Sequence, residues 1–260
     1  MTMDKGIAVI TGGASGIGNA SAQRLAADGY AIAIVDIDQA ACDAAAAALP
    51  GARGYVCDVS DEQALEATAA RVALELGPAS VLVTAAGLIP NTEGIMDMDM
   101  AAHDRMWQVN YLGTILACRA FGRQMIPRGK GAIVTIGSIN SRLPLPLPAY
   151  NPGKAAIERI TQLLSVELGR HGIRVNSVGP TYVMTPPLRE KVAQGKRDMN
   201  RIMSVHALPY LPEPKDIADA IAFLVSEQAR AITGVLLPVD SGWCSAVSYR
   251  TYAGGVPWEQ

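Results

Sequence analysis

The sequence predicts a single-domain α/β protein built on a doubly wound, seven-stranded parallel sheet with helices on both faces. Three observations predict it. Seven short apolar, β-branched runs (7–10, 31–35, 54–57, 81–83, 132–136, 174–178 and 235–239) recur along 260 residues with helix-length intervals between them, and strand–helix–strand repeats imply parallel pairing. The runs are apolar throughout, as strands covered on both faces must be. Half of the chain is hydrophobic but only 5% is aromatic, which favours Ala/Val/Ile/Leu helices closely packed on a sheet over an aromatic-rich sandwich.

Taken in order, run 7–10 leads into the turn 11–18, Thr-Gly-Gly-Ala-Ser-Gly-Ile-Gly, and a helix through residues 20–27. Run 31–35 ends at Asp36, and the Ala-rich stretch 40–49 reads as a helix with small packing residues. Helices are expected over 103–125 and from Tyr150 to about residue 169, the second of these following run 132–136 and a proline-rich connection at 142–148. The stretch 185–214, with prolines at both ends and mixed polar content, breaks the rhythm. An insertion of that length in a compact domain reads as a lid or binding segment. Beyond residue 242, the tail 245–260 holds Tyr249, Arg250, Tyr252 and Trp258, too many aromatics for a disordered end; it is expected to pack on its own subunit or across an interface. Residues 1–260 are therefore expected to form one domain, with a variable segment at about 185–214 and a C-terminal tail at 245–260.

Twenty-two basic against 24 acidic residues leave a net charge of −2, so no nucleic-acid partner is expected. No apolar run reaches the roughly 18 residues that span a bilayer, and the run at the N-terminus is too short and wrongly flanked for a signal peptide. Cys42, Cys57, Cys118 and Cys244 are far apart with no C-x-x-C pair, so no zinc site or disulfide framework is indicated and a reducing cytoplasm fits. Met96-Asp-Met-Asp-Met100 reads as a helix lead-in, and His103 and His171 read as surface or capping residues, so no metal is expected. Charged residues at 18% suggest helix surface buried against other subunits.

Glycines in the turn 11–18 let backbone N–H groups approach a pyrophosphate, and the following helix N-terminus adds favourable partial positive charge. Asp36, 18 residues beyond Gly18 at the end of the second run, is placed to accept from an adenosine ribose and to repel a 2′-phosphate. NAD is favoured over NADP. Tyr150 and Lys154 lie four apart at the start of one helix, hence on one face. Ser138 lies just past the C-terminal end of run 132–136, the edge where open parallel sheets bind ligands.

These motifs resemble the short-chain dehydrogenase/reductase family, of the single-domain Rossmann-type with about 250 residues, over residues 5 to 242. Thr11, Gly12, Gly16 and Gly18 match its cofactor motif, and Asn110, Ser138, Tyr150 and Lys154 its catalytic tetrad. Asp58 and Val59 match its adenine-contacting pair, and Thr185 the nicotinamide-contacting threonine in the stretch 179–185. The resemblance further implies cofactor contacts at Ser15, Ile17, Ala86, Gly87, Pro180 and Val183, beside Tyr150 and Lys154. It also implies a homotetramer formed through the apolar faces of helices 103–125 and 150–169. Departures are Thr84-Ala-Ala-Gly87 for Asn-Asn-Ala-Gly, Thr181 for a glycine, Asp240-Ser-Gly242 for a Gly-Gly ending, and a connection between Ser138 and Tyr150 one residue shorter. Thr84 is expected to replace one of the lost amide hydrogen bonds.

The expected reaction is interconversion of a secondary alcohol and a ketone by direct hydride transfer, without a metal. Tyr150 is the expected general base, its pKa of about 10 lowered by the Lys154 ammonium, with Ser138 bonding the reacting oxygen. The resemblance assigns Lys154 also to the nicotinamide ribose and Asn110 to a water relay. Pocket walls are expected at 88–93, 139–147 and 185–209, where Asn91, Asn140, Ser141 and Arg142 mix with aliphatic residues; this suits a polyol or sugar, with Ser138, Asn140, Arg142 and Tyr150 on the substrate. Arg142, Arg201 and His206 are either partners for an acidic group or solvated surface residues. A 3-oxoacyl-thioester ketoreductase is the competing enzyme reading, disfavoured by Asp36. A catalytically silent binding protein on the same fold is the other, disfavoured by the intact tetrad.

Overall fold

Val9, Val35, Leu82, Ile133 and Val175 point to one face of a sheet, and Ala8, Ile10, Ile34, Val83 and Val134 point to the other; all are buried. That two-sided burial explains why the strands read as unbroken apolar runs. The computed structural model describes residues 5–88, 93–253 and 255–256. Its strands are β1 Ile7–Thr11, β2 Ala31–Asp36, β3 Arg53–Val56, β4 Ala79–Thr84, β5 Gly131–Ile136, β6 Ile173–Pro180 and β7 Leu236–Val239. They form one sheet in the order β3-β2-β1-β4-β5-β6-β7, every pair parallel. All seven expected strands are present. Three of them gain a polar residue at the C-terminal end (Thr11, Asp36, Thr84) because backbone pairing continues past the apolar run.

Helices α1 Gly16–Ala27, α2 Gln39–Ala47 and α9 Pro214–Val225 cover one face, contributing Leu25, Cys42, Ile217 and Ile221 to its core. Helices α3 Glu62–Glu75, α5 Gly113–Met125 and α6 Asn151–Gly169 cover the other, with Leu65, Val72, Phe121, Met125 and Leu168. The helix expected over 103–125 is α4 Met100–Trp107 and α5 joined by a π turn, Gln108–Leu112. Asp99 caps α4 through the amide of Ala101, so the Met-Asp tract is indeed a helix lead-in. The insertion 185–214 folds as two short helices, α7 Pro186–Ala193 and α8 Met199–Met203. The tail begins as α10 Trp243–Arg250, with Trp243 and Ala246 buried against its own subunit and Val256 buried further on. Asn91 and Trp258 lie outside the described residues.

The chain winds outward from β1 to β3 and then crosses to β4 on the opposite side of β1. Helices therefore leave β1 and β4 in opposite directions and open a crevice at the C-terminal ends of those strands. Phe121 sits fully buried under the centre of the sheet. Phe121→Ala is expected to lower stability by about 3–5 kcal/mol in urea melts, the usual cost of an aromatic-sized core cavity; a change below about 1 kcal/mol would mean that the core collapses around the lost ring.

Candidate active site

The turn between β1 and α1 is shaped by backbone contacts that only glycine allows. A Cβ on Gly18 would lie 2.0 Å from the Gly12 carbonyl oxygen, and one on Gly12, whose φ is +65°, would lie 2.5 Å from the amide of Ala86. The turn is thus pressed against the residues after β4, where Thr11 Oγ1 accepts from the Ala86 amide at 3.5 Å. Gly16 has φ +51°, and a Cβ there would enter the gap facing Thr185, whose Cγ2 is 3.8 Å away. Ser15 caps α1 without a side-chain hydrogen bond. The result is a backbone-lined gap at a positive helix end, bounded by Ile17 and Thr185, which fits the diphosphate of a dinucleotide. Asp36 is fixed at the same edge: Oδ2 accepts from the Ala14 amide at 3.0 Å and Oδ1 from the Ile37 amide at 2.8 Å.

The other expected cofactor residues differ in how free their side chains are. Asp58 is held by Arg105 at 2.8 Å and accepts from the Ser60 amide and hydroxyl. Burial works against its charge, but these donors outweigh it and hold the carboxyl below its usual range. Val59 is buried, close to Gly113, where a Cβ would meet it at 2.7 Å, so its side chain belongs to the core. Gly87 lies beside the Asn110 side chain, and Pro180, Val183 and Thr185 line the neighbouring cavity. Thr84 does not restore a lost amide bond: its hydroxyl is buried without a partner among the described residues.

Ser138 follows β5 and starts a 3-10 turn, Ile139–Ser141, its Oγ accepting from the Asn140 amide at 3.1 Å. Tyr150 precedes α6, and Lys154 lies one turn on with Nζ 5.4 Å from the centre of the tyrosine ring. Lys154 is buried and donates to the Ile136 carbonyl at 2.7 Å. Asn110, in the π turn, accepts from the Leu88 amide at 2.7 Å and donates to the Leu88 carbonyl at 3.3 Å, which locks the segment after β4 against the helix. Local π turns of this kind are frequent at functional sites.

Burial, not the lysine, dominates the tyrosine. It pushes Tyr150 up to about 12, opposed by the Ser138 hydroxyl, and pushes Lys154 down to about 8. The expected lowering of Tyr150 by Lys154 is therefore corrected: both groups are desolvated, and each favours its neutral form.

Ser138, Asn140 and Tyr150 open on a cavity of about 710 Å³ that also meets Ile17, Thr185 and the segment 187–205. Arg142 is drawn away from it. Its guanidinium is bidentate to Glu158 Oε1 at 3.0 and 2.7 Å, with Ser141 bonded to the other carboxylate oxygen, so it braces the proline-rich connection and does not line the cavity. His206 is not a solvated surface residue: it is buried, paired with Thr181 at 3.0 Å and with the Ile202 carbonyl at 2.7 Å, and burial lowers its pKa. Thr181, at the position where the resemblance implies glycine, thus ties the end of α8 to the end of β6. Trp243 and Tyr182 belong to none of the motifs that mark the site in the sequence. They stack at 5.5 Å with ring planes 10° apart, and both line the cavity. Their position just beyond the C-terminal ends of β6 and β7 was the available signal.

Comparison with known proteins agrees with this geometry. A family profile described as Enoyl-(Acyl carrier protein) reductase matches residues 12–244. Galactitol 2-dehydrogenase of Rhizobium johnstonii is 37% identical, over 91% of this chain and 94% of its own. The structure of a protein titled ribose-5-phosphate isomerase from Brucella melitensis 16M superposes with a TM-score of 0.93 at 37% identity, covering 98% of both chains. An NAD+-bound xylitol dehydrogenase superposes with a TM-score of 0.87 at 28% identity, covering 93% of this chain and all of that one. With the glycine turn, the Ser138–Tyr150–Lys154 cluster and these relatives in agreement, the chain belongs to the short-chain dehydrogenase/reductase family, oxidoreductases that act on CH–OH groups with a nicotinamide cofactor.

Proposed function

We propose that this chain is an NAD-dependent dehydrogenase that interconverts a secondary alcohol and a ketone on a polyol, sugar or similar small hydroxylated molecule. The observation that carries the reading is the convergence of Ser138 and Tyr150, backed by Lys154, on a cavity that also meets the dinucleotide gap at Ile17 and Thr185. A polyol substrate is supported by the mixed wall, in which Asn140 and Thr181 lie among Leu145, Leu147 and Val183, and by the names of the galactitol and xylitol enzymes it resembles. NAD is supported by the fixed Asp36 carboxylate beside the glycine turn, which would repel a 2′-phosphate.

The bound nicotinamide supplies hydride transfer. The chain's own residues handle the proton and the oxygen. Ser138 Oγ donates to the reacting oxygen and holds it at the tyrosine. Tyr150 takes the hydroxyl proton on oxidation and returns it on reduction. Lys154 supplies the positive charge that makes a phenolate affordable inside the cavity. Gly16, Ser15 and the first turn of α1 would receive the diphosphate, and Lys154 a ribose hydroxyl. Asn110 keeps residues 87–88 in register with the π turn through its two bonds to Leu88.

Burial lowers Lys154 to about 8 and raises Tyr150 to about 12, so the first of the two protons held by these neighbouring groups leaves near 8. The singly deprotonated pair is the form that accepts a proton from an alcohol. kcat/KM for oxidation is therefore expected to rise by about tenfold per pH unit below that value and to level above it, whereas reduction, which needs the proton, falls there. Tyr150→Phe should remove the profile and about 10²- to 10⁴-fold of the rate while NAD still binds by fluorescence titration; wild-type rates in that variant would overturn the assignment. Asp36→Ser is expected to narrow the preference for NAD over NADP, measured as a ratio of kcat/KM values, by about tenfold or more. Tighter binding of NADP by the unaltered protein would remove Asp36 from this role. The exposed Leu163 and Val166 on α6, 58% and 78% accessible, support assembly as a homotetramer. Light scattering that returned a monomer would exclude it.

A further inference from the structure

Several cations of this molecule are neutralised by a neighbouring carboxylate, among them Arg53 by Glu75, Arg105 by Asp58, Arg119 by Glu62 and Arg123 by Glu66. The cavity wall made by 185–214 departs from that pattern. Lys191, Lys196, Arg197 and Arg201 all line it. The side chains of Lys191, Lys196 and Arg201 make no ion pair or hydrogen bond among the described residues, and Arg197 bonds only to the backbone carbonyl of Lys196. One carboxylate, Asp198, shares the wall, and its Oδ1 is spent capping α8 through the amides of Asn200 and Arg201. The nearest acidic neighbour in sequence, Glu190, is occupied by Gln194. Arg189 points elsewhere, to Glu213.

Four cations against one carboxylate give this part of the cavity a net positive field on whatever enters, and like charges repel one another unless an anion sits among them, even though Lys196 and Arg201 are exposed to solvent. A second observation points the same way. Trp243 is a buried residue of this cavity's lining, and its indole N–H has no acceptor among the described residues, which adds an unpaired donor to the wall. A neutral polyol would use a donor and acceptor mixture; this wall offers an excess of charge-assisted donors.

We propose that the substrate carries an anionic group (a carboxylate, sulfonate or phosphate) on the part of the molecule remote from the reacting carbon, bound by Lys191, Lys196, Arg197 and Arg201. The proposal rests on the dehydrogenase reading of the same site and makes it narrower: the alcohol oxidised at Ser138 and Tyr150 belongs to a hydroxylated acid or acid ester.

The test uses the NAD-loaded enzyme and two matched sets: galactitol, galactonate and galactitol 1-phosphate, and xylitol, xylonate and xylitol 5-phosphate, followed by NADH absorbance at low and raised salt. In at least one set an anionic member is expected to exceed its neutral partner in kcat/KM by about tenfold, with the advantage shrinking as salt screens the wall. Lys196→Gln with Arg201→Gln should collapse that ratio, and Lys196→Arg with Arg201→Lys should restore most of it. Equal use of neutral and anionic members, unchanged by the substitutions, overturns the proposal and leaves the polyol reading standing. A raised KM for NAD with an unchanged substrate ratio also overturns it, assigning the cations to the cofactor. If no member is oxidised, calorimetric titration with galactonate and galactitol 1-phosphate decides: binding lost in the Lys196→Gln/Arg201→Gln protein supports the anion pocket while counting against alcohol oxidation, and no binding in the unaltered protein overturns the pocket.

Discussion

The close approach of the turn after β1 to the residues after β4 is the constraint on which the rest of the site depends. Gly12 lies where any Cβ would strike the Ala86 backbone, and Gly18 lies where any Cβ would strike Gly12 itself. Those contacts set the height of α1 above the sheet edge and hold the crevice at the point where the strand order reverses. A side chain at either place would clash with that backbone and disturb the gap proposed to receive a diphosphate. Asn110 extends the same fixation: its two bonds to Leu88 tie the end of β4 to the π turn, and the π turn leads into α5 under the sheet.

Electrostatics in the crevice follow from burial. Tyr150 and Lys154 are both removed from water, so burial pushes the tyrosine up and the lysine down, each toward its neutral form. Residue identity alone suggests an ammonium stabilising a phenolate; in the folded chain the desolvation of both groups is the larger effect.

The segment between β6 and α9 gives the fold its individuality. Thr181 and His206 fasten its end to the sheet, the Tyr182–Trp243 stack forms a rigid wall beside them, and Lys191, Lys196, Arg197 and Arg201 face the cavity. Arg142, closer to Ser138 in sequence, is neutralised by Glu158 instead. Proximity along the chain is thus a poor guide to which cation meets a ligand, because a nearby carboxylate captures the guanidinium first.

Sequence by itself determined the seven strands and their parallel pairing, because these rest on local pattern, apolar runs with helix-length intervals between them; glycines after the first strand and a four-residue helical spacing pointed to the Ser138–Tyr150–Lys154 cluster, and the family resemblance completed it. It also marked 185–214 as a binding segment from its prolines and polar mixture. Tertiary structure decided which charges are free. Whether Arg142 or Arg201 faces the cavity, whether His206 is wet or buried, whether Thr84 finds a partner, and which way burial moves Tyr150 all depend on groups far apart in the chain. Those long-range juxtapositions, with the desolvation that accompanies them, have no signature in a one-dimensional pattern.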